Sequence, residues 1–220
     1  MRFIAVFGSL VTVVMGLVVF VAARRWASLD SGARWITVGI GVFFAWALIS
    51  VSAIALGART RVVQEIPSLL GTVLFLRGFA DWQPKARQRR IVLWGLALFV
   101  VLWVIAQILQ GLSDQFSTVS GPIHAMMVTA AAGFTLINRV QVTDDRWTAQ
   151  LWFWVSIGFM LDYGTLTVLD PLWENIFGLR NDLVLAAYVF HLVFSLFGYV
   201  LLLRGFSGVP SPRQPTTVSR

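Results

Sequence analysis

The sequence predicts an all-α integral membrane protein with seven transmembrane helices. Three observations predict it. The 220 residues are 58% hydrophobic and only 12% charged, where a soluble domain carries about 25% charge. The apolar residues fall into seven runs, most of them as long as the roughly 20 residues that cross a bilayer as helix. The basic residues alternate with those runs in a way that assigns every connection a side. Seven such spans use about 140 residues, so 1–206 forms one seven-span helical domain and no second folded domain fits.

The first run, 3–22, is longer than the apolar core of a signal peptide and is followed at once by Arg24 and Arg25. It reads as an uncleaved span, with a cleaved signal as the alternative. The others cover 35–56, 62–79, 91–110, 123–137, 151–169 and 183–203. The third is weakened by Gln64, Glu65 and Pro67 near its start. The fifth is short and rich in Ala, Thr and Gly. Six spans, with one of these two lying in the interface, is the competing count. Residues 207–220 are rich in Pro, Ser and Thr and bury too little apolar surface to fold, which makes them a disordered cytoplasmic tail.

Orientation follows from charge. The first, third and fifth connections and the tail hold Arg24, Arg25, Arg34, Arg77, Lys85, Arg87, Arg89, Arg90, Arg139, Arg146, Arg204, Arg213 and Arg220. The opposite side holds only Arg2, Arg59, Arg61 and Arg180. The C-terminus is therefore expected in the cytoplasm and the N-terminus outside, in the plasma membrane. The loop 111–122 is polar and lacks a basic residue, as an outer loop should.

Residues 68–79 (SLLGTVLFLRGF) match 195–206 (SLFGYVLLLRGF) at nine of twelve positions without a gap, and 35–39 (WITVG) matches 154–158 (WVSIG) more weakly. Both pairs join spans of the same direction. The implied plan is a 3+1+3 parallel repeat: two triplets joined by the fourth span and related by an axis along the membrane normal. Apolar residues are common enough here that chance alignment competes with duplication. In layout the chain is similar to SWEET-type sugar transporters, to the heptahelical bundle of microbial rhodopsins and to bacterial seven-span sensor modules. It departs from the first in lacking paired prolines, Pro67 being the one proline well inside a span. It departs from the second in having no lysine in the seventh span for a retinal Schiff base, and from the third in having no output domain.

Ionisable side chains within spans are costly and mark candidate sites. At about 1.5 Å per residue, Asp162 lies roughly 17 Å from the cytoplasmic end of its span and His191 roughly 18 Å from the same edge. The pair is expected to share one depth on adjacent antiparallel spans, with Glu65 in the same half and Tyr163, Tyr188 and Gln64 near by. A carboxylate beside a histidine suits a proton-coupled or pH-sensitive step. The competing reading is that the pair only fixes helix packing. His124 and His191 are the chain's two histidines, so bis-histidine haem would need both, and no attachment motif accompanies them.

Other features are bland. Asp170, Glu174 and Asp182 read as a solvated outer face, with cation binding as the alternative. The run KARQRR at 85–90 fits topology and anionic headgroups, with an acidic partner as the alternative. Trp26, Trp35, Trp82, Trp147, Trp152, Trp154 and Trp173 sit near span ends as interfacial anchors, while Trp46, Trp94 and Trp103 read as packing. The sequence contains no cysteine, nucleophile elbow, phosphate loop or zinc motif, and Asp144 and Asp145 have no histidine partner. Neither an enzyme, a metal site, a cofactor nor a nucleic-acid partner is expected. What is expected is a protein that senses or transports a small ligand or proton through the outward-half cluster. An accessory subunit packing on a membrane partner or a second copy, through faces such as Gly39 with Gly41 or 130–133, is the alternative.

Overall fold

The computed structural model describes residues 2–55, 61–110, 120–143, 146–177 and 181–208, with side chains described over 6–50, 66–109, 121–143, 146–169 and 185–208. Among these residues the protein is all-helical. It has α1 (Arg2–Arg24), α2 (Ser31–Ala55), α3 (Arg61–Asp81), α4 (Ala86–Gln110), α5 (Ser120–Val140), α6 (Leu151–Phe177) and α7 (Asn181–Gly208), and two short 3-10 turns at Trp26–Ser28 and Trp147–Ala149. Among the described residues six helices contain a stretch long and apolar enough to cross a membrane: Val6–Arg24, Ser31–Ser50, Ala86–Leu109, Gly121–Val140, Leu151–Leu169 and Leu185–Gly208. Helix α3, expected to be one of the two weakest, is not among them, and its described side chains begin only at Ile66. The chain thus has the build of a polytopic helical membrane protein, in which each helix satisfies its backbone groups within its own segment.

The helices overrun their apolar runs where polar caps extend them. Asp30 Oδ1 accepts the Ala33 backbone N–H at 2.7 Å, the N-cap bond that lets α2 start at Ser31, ahead of its apolar stretch. Successive helices alternate in direction. Gly32 meets Gly78 while Phe43 meets Gly71; Gly164 meets Thr129 while Gly133 meets Met160; and Leu151 meets Gly205 while Asp162 meets Gly198. Arg25 Nη1 donates to the Ser207 carbonyl at 2.7 Å, which sets the C-terminal ends of α1 and α7 side by side.

Around the bundle, α1 packs on α2 and α7, α2 on α3, α3 on α5, α5 on α6 and α6 on α7; α4 lies outside, against α3 and α5. The centre is filled with rings. Phe75 of α3 and Phe159 of α6 sit 4.6 Å apart between centroids, with Phe79 at 5.7 Å and Tyr163 at 5.5 Å from Phe159. The outer surface is apolar, and Trp94, Ile108 and Leu109 of α4 are more than 70% exposed.

Two tryptophans expected as interfacial anchors are core residues instead. Trp82 is 1% and Trp152 6% exposed. The indole of Trp82 lies over Gly32, where a Cβ would meet Nε1 at 2.5 Å, and Nε1 donates to the Asp30 carboxylate at 2.9 and 3.1 Å. The sequence position of Trp82 at a span end is right; the helix-cap carboxylate and the absent Gly32 side chain draw it inward. Trp26, Trp35 and Trp147 are exposed as expected. Trp94 is not a packing residue but the most exposed indole among the described residues, at 75%.

Candidate functional site

Glycines bring α6 and α7 into close contact. A Cβ on Gly198 would lie 2.6 Å from the Gly158 carbonyl oxygen, and one on Gly205 would lie 2.8 Å from Trp154 Cβ. Small residues permit this backbone approach, and the short side chains along the seam can then reach across it.

One turn from Gly198, Ser195 Oγ donates to Asp162 Oδ1. The same oxygen faces the imidazole of His191, 3.3 Å from Nε2 and 3.5 Å from Nδ1. Thr165 Oγ1 donates to the Asp162 main-chain carbonyl at 2.7 Å and stands 3.0 Å from His191 Nδ1. Asp162 and Ser195 are buried and His191 is half-buried. The expected Asp162–His191 neighbourhood is therefore present, with Ser195 between the two groups. Sequence reasoning did not single out Ser195 or Thr165. Their signal was helical spacing: Ser195 is four residues after His191 and Thr165 three after Asp162, each on the same face as its partner.

Tyr163 is buried on the other side of α6, edge-on to His124 of α5 at 4.9 Å and against Phe75 at 6.0 Å. His124 is itself 7% exposed and bonded through Nδ1 to Thr72 of α3. Tyr188 is exposed on α7. The side chains of Gln64, Glu65, Asp170, Glu174 and Asp182 lie outside those described, as do Asp144, Asp145, the loop 111–119 and the tail from 209.

A third polar group, also missed from sequence, closes the end of the bundle that carries the basic connections. Gln83 donates to Thr135 Oγ1 at 2.7 Å and to the Phe79 carbonyl at 3.0 Å, and accepts from Asn138 at 3.0 Å. Gln88 donates to Asn138 at 2.9 Å. Asp81 accepts from Ser31 at 2.6 Å and pairs with Arg89 at 2.9 Å and Arg77 at 3.4 Å. Each of these groups is matched by another, which marks the network as structural. Lys85, Arg87, Arg89 and Arg90 are exposed beside it. Among the described residues no three His, Asp or Glu side chains converge as a metal site.

No protein-family model, no curated protein and no solved structure matches the chain. The geometry between α6 and α7 carries the functional argument.

Proposed function

We propose that this chain spans the plasma membrane seven times, with its N-terminus outside and its C-terminus in the cytoplasm, and that it binds and releases a proton at Asp162, Ser195 and His191. That step serves the sensing or transport of a small ligand. The observation that carries the reading is Ser195 Oγ, which donates to Asp162 while facing the His191 ring.

A hydroxyl in that place has two complementary settings. With Asp162 ionised and His191 protonated on both nitrogens, Ser195 donates to the carboxylate and accepts from the ring, and Thr165 accepts from Nδ1. With the proton moved, the Asp162 carboxyl donates to Ser195, Ser195 donates to Nε2, and Nδ1 keeps its proton toward Thr165. Both settings hold no net charge, and both require the ring to turn until Nε2 points at Ser195 Oγ, which lies almost equally far from the two ring nitrogens. A third setting, with one more proton, places a positive charge on the pair. Uptake from one side and release to the other is the chemistry of an intramembrane relay. The packed rings at the centre favour a proton over a bulky cargo at this site.

The 3+1+3 repeat has support in packing register. Shifted by 119 residues in α2 and 127 in α3, Gly32–Gly78, Gly39–Phe75 and Phe43–Gly71 become Leu151–Gly205, Gly158–Leu202 and Asp162–Gly198, and all six are contacts. Neighbour relations agree: α1 on α2, α2 on α3 and α1 on α7 become α5 on α6, α6 on α7 and α5 on α3, with α4 left over as the linker. No catalytic role, cofactor or nucleic-acid partner is proposed. The second reading, an accessory subunit held by a membrane partner or a second copy, draws on the exposed face of α4 at Trp94, Ile108 and Leu109.

The chain has two histidines, so histidine-labelled protein in lipid nanodiscs gives two ring signals, assigned by Gln substitution. In Asp162→Asn the His191 ring should lose its proton about one pH unit or more lower than in wild type, the scale of a removed neighbouring carboxylate. Ser195→Ala should change the pH response of the same ring. If His191 responds to pH identically in all three proteins, the relay is wrong.

A further inference from the structure

The two histidines are held by the same device. In α6, the hydroxyl of Thr165 gives its hydrogen to a main-chain carbonyl one turn back and presents its oxygen to His191 Nδ1. In α3, the hydroxyl of Thr72 gives its hydrogen to the Ser68 carbonyl at 2.6 Å and presents its oxygen to His124 Nδ1. A hydroxyl has one hydrogen to give. With that hydrogen committed to Ser68, Thr72 Oγ1 accepts from His124, so Nδ1 carries the ring proton and Nε2 carries the lone pair.

The surroundings differ in one respect. His191 faces Ser195 and Asp162, whereas His124 Nε2 makes no hydrogen bond among the described residues. His124 as a residue is 7% exposed. The groups around it are few. From α2 comes Phe43, with centroids 5.8 Å apart, and from α6 comes Tyr163 at 4.9 Å, the titratable side chain in ring contact. From α3 comes Thr72; the side chain of Glu65, seven residues earlier, lies outside those described. The apolar run 91–106 of α4 has no charged residue. With one nitrogen anchored and the other without a partner among the described residues, the imidazole offers Nε2 as an acceptor, and a proton is small enough to enter without displacing Phe43 or Tyr163.

We propose that His124 is a second proton-binding site, fixed by Thr72 as the Nδ1–H tautomer so that Nε2 is the acceptor, and that it acts on the Asp162 site across α6. Tyr163 and Asp162 are consecutive residues of α6, one turned toward His124 and the other toward Ser195. Charge arriving on His124 therefore opposes charge arriving at the His191 pair. This coupling rests on the relay proposed above; the tautomer and the acceptor role of Nε2 do not.

The test is ring nitrogen NMR on histidine-labelled protein in nanodiscs, with Thr72→Val and His124→Gln. In wild type at high pH, His124 should show the Nδ1–H pattern. On acidification it should gain a proton at Nε2. Thr72→Val should convert the ring wholly or partly to the Nε2–H tautomer. An Nε2–H pattern in wild type, no change in Thr72→Val, or a ring that stays neutral down to pH 4 overturns the site. Acid unfolding is monitored on the amide spectrum, and a ring that protonates only with unfolding also overturns it. The ring that protonates second feels the charge on the first, so His124→Gln should raise the pH at which His191 loses its proton, or His191→Gln that of His124, by roughly half a unit or more, the scale of a unit charge lying two helices away. If His124 behaves as stated and neither ring shifts, the coupling is wrong and the site stands. If His191 shows no response to Asp162→Asn either, the relay itself has failed.

Discussion

Substituting Gly198 by alanine tests the claim that the α6–α7 seam positions the site. The new Cβ would lie 2.6 Å from the Gly158 carbonyl oxygen and 3.4 Å from Asp162 Cβ. Close carbon–oxygen contacts between helices settle at about 3.3 Å, so the two backbones must separate by roughly 0.7 Å. Overpacking of this kind costs about 1–3 kcal/mol. Replacing a helical glycine returns about 0.5–1 kcal/mol of backbone entropy. Gly41→Ala supplies the reference, because a Cβ there has nothing within 4 Å and only the favourable part applies. Gly198→Ala should therefore be less stable than Gly41→Ala by about 1–3 kcal/mol in reversible unfolding from mixed micelles. It should also loosen the Ser195–Asp162 contact and alter the His191 titration, while Gly41→Ala leaves that titration alone. Equal stability of the two variants would refute the close-packed seam, and an unaltered His191 titration in Gly198→Ala would refute its role in setting the site.

Two further outcomes follow from the fold. Trp82→Phe keeps most of the buried ring but removes the bonds from Nε1 to Asp30, a charge-assisted interaction whose loss should cost about 1.5–3 kcal/mol by the same unfolding measurement; a cost below 0.5 kcal/mol would return Trp82 to the role of an anchor. Because the chain has no native cysteine, single cysteines report sidedness directly. A thiol at Ser113 should react with an impermeant reagent added outside intact cells, and one at Arg146 only after permeabilisation, so the reverse pattern would overturn the orientation.

Much of the fold was legible because hydrophobicity alone sets it. All seven apolar runs became helices, and the predicted partnership of Asp162 with His191 followed from depth arithmetic along two antiparallel spans. What stayed hidden depends on rotation about the helix axis and on side-chain reach. Depth placed Tyr163 beside Asp162, but consecutive residues of a helix diverge by about 100°, and Tyr163 faces α3 and α5 instead. Trp82 looked like an interfacial residue because position in sequence says nothing about the empty space over Gly32. Gln83, Thr135 and Asn138 are neutral, so a search for ionisable groups passes over them although they form the most extensive side-chain network described.

The packing register gives the asymmetry of the bundle a physical meaning. Under the proposed duplication, Asp162 over Gly198 stands where Phe43 stands over Gly71, and Ser195 stands where Ser68 does. One half of the protein thus presents a carboxylate to a serine. The other presents an aromatic ring, which stacks on Phe75 at 5.7 Å and leans on His124 at 5.8 Å. Two carboxylates facing one apolar centre would repel one another and double the buried charge that must be desolvated. A phenyl ring in the second position removes that cost and leaves the hydroxyl of Thr72 to hold His124. Under the proposed duplication the halves share a backbone plan but divide the chemistry: α5–α7 carry Asp162 and both histidines, while α2 and α3 supply the Phe43 ring and the Thr72 hydroxyl that hold His124.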